Sequence, residues 1–214
     1  MIGSEVLKIL ETAAAIDGDF KVFGASKHKY RLNAPVSADF VRNAQEQYGF
    51  TLPEDYFRFI TEIGDGGAGE DYGLYSFKEY ITKNNPGYEK ERQGLKLPLE
   101  IRPMTDEDGK YSGLAPEFFK SNREKCFFDP HYYDDDNDGF SDGCLTLGTR
   151  GCQYDFVLAL SGEHRGRVFD IDNEGGFVLI ADSFEEFYSR WLDKISNVDR
   201  LKGQIEFWTN LRKH

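Results

Sequence analysis

The densest run of chemistry-bearing side chains is YYDDDNDGFSDG, Tyr132 to Gly143, with five aspartates in twelve residues. Asp134, Asp136, Asp138, Gly139 and Asp142 fit D-x-D-x-D-G-x-x-D, where alternating carboxylates converge on a hard cation and the glycine allows a sharp turn. Calcium is the cofactor such a loop takes, with those four aspartates and the backbone carbonyl of Phe140 as ligands. It is not an EF-hand, because the twelfth position is Leu145 rather than glutamate and Pro130 opposes an entering helix. Two further readings stay open. The carboxylates repel one another and form a hydrated turn, or Asp129, Asp134, Asp135, Asp136, Asp138 and Asp142, with Tyr132 and Tyr133, make a surface that holds a basic protein. From Cys126 to Thr149 there are six aspartates and no lysine or arginine, so nothing in the segment itself neutralises it.

Two other patterns suggest catalysis or cofactor binding and fit poorly. Gly64 to Gly69 satisfies G-x-G-x-x-G, but it closes a predicted helix instead of following a strand and opening one, so no helix N-terminus faces a phosphate. A thiol enzyme needs one of Cys126, Cys144 or Cys152 beside one of His28, His131 or His164, and the two later cysteines flank predicted strands, where a thiol behaves as a small buried hydrophobe. Their spacings do not suit zinc. The sequence therefore reads as that of a protein without catalytic residues.

Across 214 residues, 39% are hydrophobic, 15% aromatic and 30% charged, which excludes a disordered chain and suits a single domain spanning 1–214. A net charge of -12 repels phosphate backbones, so nucleic acid is not an expected partner and a basic protein is. The longest aliphatic run, Phe156 to Leu160, is too short to span a bilayer, and no export signal opens the chain. Three cysteines without disulfide spacing suit the cytoplasm. Oligomeric state stays open.

The elements that position these residues follow from periodicity. Ser4 to Ile16 reads as an amphipathic helix, and Ser37 caps another that presents Phe40, Val41, Ala44 and Tyr48 before Gly49. Thr51 and Glu54 have capping-box spacing for a helix burying Tyr56, Phe59, Ile60 and Ile63. Phe20 to Phe23, Tyr30 to Leu32 and Tyr72 to Phe77 have strand composition, and Asn84 to Asp142, rich in proline, reads mostly as loop with a helical turn near Glu117. Strands over Cys144 to Leu147, Tyr154 to Leu160, Arg167 to Asp172 and Phe177 to Ala181 are joined by short glycine-bearing turns, which dictates antiparallel pairing. Ser183 and Glu186 open a last helix whose stripe runs from Phe184 through Val198, while Phe207 and Trp208 either pack on the first helix or serve a dimer.

Three segments resemble the SUKH superfamily, in the branch named for a fungal cell-wall-assembly regulator: "LPEDYFRFITEIGDGG", "GCQYDFVLALSGEHRGRVFDID" and "ADSFEEFYSRWL". The likeness covers roughly Val36 to Leu192, flanked by terminal helices, with Gln153 and Phe169 standing where the family often has glycine and tryptophan. The resemblance implies an α+β domain whose mainly antiparallel sheet packs against helices. In bacteria it implies a non-enzymatic immunity protein that neutralises a cognate toxin, frequently a nuclease, by binding it. In fungi it implies a regulatory interaction protein. No shared catalytic residues come with it.

Overall fold

A computed structural model describes residues 2–111, 114–131, 142–172 and 174–212. In chain order its helices are α1 (Gly3–Ile16), α2 (Ala25–His28), α3 (Ala38–Tyr48), α4 (Glu54–Arg58, continued by a π-helical turn Phe59–Ile63), α5 (Phe77–Thr82), α6 (Pro86–Gly94), α7 (Asp108–Tyr111), α8 (Pro116–Ser121), α9 (Phe184–Ser196) and α10 (Val198–Leu211). The strands are β1 (Arg102–Pro103), β2 (Cys126–Phe128), β3 (Cys144–Gly151), β4 (Tyr154–Ala159), β5 (Val168–Ile171) and β6 (Gly176–Ala181).

The six strands among the described residues form one sheet in the order β1-β2-β6-β5-β4-β3, and every neighbouring pair is antiparallel. The meander from β3 to β6 is the one its short turns require, and the fold is α+β. Strand alternation then sorts the side chains. Leu145, Leu147, Phe156, Leu158 and Val168 face the helix layer, where Phe59 and Ile60 meet Phe184, Phe187 and Tyr188 in the main core. Val157, Ala159, Phe169, Ile171 and Phe177 point to the opposite face, which Leu99, Ile101 and Phe127 cover.

Both helices expected to dominate the core do so, by different caps. Ser183 Oγ accepts from Glu186 N at 3.0 Å, and Glu186 reaches back to the N–H of Asp182 at 2.8 Å. At α4 the expected Thr51–Glu54 box does not form: Pro53 is the N-cap, and Asp55 instead accepts from Glu185 N at 2.9 Å, tying the start of α4 to that of α9. Ser37 and Gly49 bound α3 as expected. The α9 stripe stops one residue short, because Asn197 caps a new helix and leaves Val198 exposed.

Several expected strands are absent among the described residues. Phe20 to Leu32 is a turn region containing α2, and its only ladder is a bridge from Leu32 to Gly67. Within Tyr72 to Phe77 the extended backbone narrows to Leu74, which bridges Gly67 from the other side, and Ser76 then caps α5. Gly67 is thus a junction of two chain segments at φ +99, and a Cβ there would lie 2.4 Å from the carbonyl oxygen of Arg31. The proline-rich middle holds more structure than its composition suggests: α6, α7, α8 and two sheet strands, with Met104, Phe119, Cys126 and Phe128 forming a small core of their own. Trp208 stacks on Phe23 with ring centroids 5.0 Å apart, while Phe207 is exposed. No helix among the described residues is long and apolar enough to cross a membrane.

Candidate functional site: an acidic cleft beside β3

The two described ends of the aspartate-rich segment converge. Asp129 follows β2 and Asp142 precedes β3, and both line a cleft of about 280 Å³ with Leu97, Pro98, Leu99, Glu100 and His131. Asp129 is buried and accepts the backbone N–H of His131 at 2.8 Å, while its own N–H bonds Gly175 O at 3.0 Å. The local Asx turn fixes the carboxylate, and the β5–β6 turn holds the backbone that carries it. His131 Nε2 lies 3.2 Å from Glu100 Oε2, which makes a third carboxylate part of the same wall. Burial pushes the Asp142 carboxyl up, and Lys90 opposes that shift.

The cleft depends on one glycine. Gly143 sits at φ +72, and a Cβ there would lie 2.6 Å from Leu99 N and 2.7 Å from Leu97 O. This close approach lets the 97–99 segment lie against the start of β3, where Ser161 Oγ accepts from Leu99 N at 2.9 Å and donates to Leu97 O at 3.2 Å. Leu160 N in turn bonds Gly143 O at 2.7 Å.

Of the residues expected to bind calcium or a partner, Asp129 and Asp142 are brought together here. Tyr132, Tyr133, Asp134, Asp135, Asp136, Asp138 and Phe140 lie outside the described residues. Among the described residues no group of three or more His, Cys, Asp or Glu side chains is arranged for a metal. Glu100 is the wall residue that sequence reasoning missed. It sits far from the aspartates in the chain, in a segment whose prolines read as loop, and no periodicity marks it.

The site chemistry opposes nucleophilic catalysis by its thiol. Cys144 lies beside the cleft, and burial followed by the charges of Asp129 and Asp142 pushes its thiol up, away from the reactive thiolate. Cys126 donates to Asn122 O at 3.3 Å, and Cys152 is exposed in the β3–β4 turn at φ +51. The two buried histidines are committed elsewhere. His28 Nδ1 accepts the N–H of Tyr30 at 3.0 Å, and His164 packs between Phe127 and Phe169 with Arg167 at its Nδ1.

The glycine-rich loop also leaves no phosphate site. Asp65, its second residue, is buried, and its carboxylate accepts from Ser76 Oγ at 2.7 Å, Phe77 N at 2.8 Å and Lys78 N at 3.1 Å. The positive end of α5 therefore already holds an anion, supplied by the chain itself.

A six-stranded antiparallel sheet with its helix layer on one face and an acidic cleft on the other defines an α+β domain. The SMI1 / KNR4 family (SUKH-1) model matches residues 35–190, most of the chain, and the chain belongs to that family. No curated protein matches it.

Proposed function

We propose that the chain is a non-enzymatic immunity protein of the cytoplasm that neutralises a cognate toxin by docking onto the toxin's basic surface. The observation that carries this reading is the convergence of Asp129, Asp142 and Glu100 in one cleft at the root of a segment with six aspartates and no cation. Membership of the SUKH-1 family supports a domain of this kind. A nuclease that grips phosphate must carry a basic surface, and an acidic partner meets it with complementary charge. Such complementarity accelerates encounter, while aromatic neighbours such as Phe127, Tyr132 and Tyr133 hold the complex.

The test first isolates the cognate toxin by co-purification with this chain and then immobilises it for surface plasmon resonance. Replacing Asp134, Asp135 and Asp136 by asparagine should slow association about tenfold at low salt and change dissociation less. Adding Glu100→Gln and Asp142→Asn should slow it further. Association unchanged in both variants would remove the acidic cleft as the docking surface.

A further inference from the structure

On the opposite face of the sheet the helix layer has a gap. Phe156, Asp170 and Val178 are direct register partners across β4, β5 and β6 and so point to the same side. Phe187 of α9 covers Phe156 at a centroid distance of 5.1 Å, and Val178 packs towards Phe119 of α8 in the small core. Between α9 and α8 a strip of sheet around Asp170, Val178 and Ile180 stays open, forming a groove of about 360 Å³ with the exposed Phe118 on its rim.

The charges in this groove are layered. Its carboxylates, Glu70, Asp71 and Asp170, lie low, with side chains 11% to 23% exposed. Its cations Arg150, Arg190 and Lys194 lie above them at 34% to 56%. Lys125, on the α8 side, is also exposed and has no ion-pair partner among the described residues. The buried anions hold the cations in place. Arg150 gives Nε to Asp71 at 3.0 Å and Nη1 to Asp170, while Lys194 meets Glu70 at 2.7 Å. Arg190 is anchored by Glu186 and the Ile180 carbonyl. Two carboxylates thus use only part of the Arg150 fork, and its Nη2 has no acceptor among the described residues.

We propose that this groove is a second docking site, specific for an acidic segment of a protein partner in which an Asp or Glu carboxylate stands beside an aliphatic or aromatic side chain. One acidic side chain takes the free edge of Arg150, another meets the ammonium of Lys125, and the apolar side chain covers Val178 and Ile180 against Phe118. The occupant is acidic because the outward charges are cations, and the counter-ions of Arg150 and Lys194 lie beneath them. It is a protein segment rather than nucleic acid because Val178 and Ile180 give the floor an apolar strip beside Asp170, and a phosphate polymer has no aliphatic side chain to cover it. This goes beyond the toxin-neutralising reading and does not rest on the acidic cleft.

The probe is a fluorescein-labelled peptide, Glu-Phe-Glu-Leu-Asp, titrated by fluorescence anisotropy at about 0.15 M salt, with amide chemical-shift mapping of the protein. Saturable binding with shifts at Val178, Leu179, Ile180 and Arg150 is the expected result. Lys125→Glu and Phe118→Ala alter exposed side chains and leave the fold intact, and each should weaken binding about fivefold or more. Arg150→Gln should weaken it further, and the two exposed variants keep the test valid if that protein is unstable. Asp142→Asn should leave peptide affinity unchanged, which separates this site from the acidic cleft. The proposal fails if the peptide does not saturate, if a lysine-for-acid version or an oligodeoxynucleotide binds as well, if shifts map elsewhere, or if Lys125→Glu has no effect.

Discussion

At the scale of single residues, the chain's buried charges are its least legible feature and its most constrained. Asp17 and Asp65 occupy turns in which an aspartate reads as solvated, yet both are buried. Asp17 accepts from Lys21 N at 2.7 Å, Val22 N at 3.1 Å and the Tyr30 hydroxyl at 2.9 Å. Their partners are backbone groups and a hydroxyl distant in sequence, so no spacing rule announces them. Asp65→Ala removes an anion from three donors and leaves the buried N–H of Phe77 without its acceptor, and it should cost roughly 2 kcal/mol, read as a lowered urea midpoint. Histidine gives a pH signature. Burial lowers the pKa of His28 to about 4, and burial likewise lowers that of His164. A folded pKa below the unfolded one, about 6.5, means that protons bind the unfolded chain more tightly. The contribution is complete above that value and is lost as pH falls towards 4, amounting to roughly 3 kcal/mol for His28. Melting temperature should therefore drop between pH 6.5 and 4, and His28→Gln should flatten that slope. An equal slope in the variant would show that other groups set the acid limit.

At the scale of elements, legibility tracked length and local logic. The β3–β6 meander, α3 and α9 were readable because alternation, capping residues and short turns agree with one another. The middle was not, since α7 and α8 are four and six residues long and Phe119 of α8 serves a satellite core that no local period reveals. Strand composition at Phe20 to Phe23 misled for a related reason: these aromatics pack under α10 and beside Tyr30, so their hydrophobicity reports burial and not pairing. The same principle left the cleft half legible: the aspartates stood out by type, whereas Glu100 and the 97–99 wall depend on a tertiary approach at Gly143. Gly143→Ala should consequently be costly, because the added methyl meets backbone on the facing segment and the φ of +72 disfavours it independently. A loss of roughly 2 kcal/mol or more is expected in chemical denaturation, with amide shifts concentrated at Leu97 to Glu100. A destabilisation below about 0.5 kcal/mol would mean that the segment moves aside without penalty.

At the scale of the whole molecule, the two faces of the sheet have opposite local charge inside one strongly negative field. The acidic cleft adds to the net charge of -12, while the groove between α8 and α9 opposes it. Salt screens long-range repulsion first, with a Debye length of about 10 Å at 0.1 M, and weakens ion pairs in partly desolvated contact much less. A basic protein drawn to the acidic cleft gains from both ranges, so its association should slow monotonically as salt rises from about 0.02 to 0.5 M. An acidic peptide bound in the groove is repelled at long range and attracted at contact. Its affinity should rise or hold steady up to about 0.15 M and fall only beyond that, when the contact pairs themselves are screened. The two trends can be measured on one preparation, by plasmon resonance for the basic toxin and anisotropy for the peptide. If peptide affinity instead falls steadily from the lowest salt, the groove's cations dominate the approach and the chain's net charge does not govern encounter at that face.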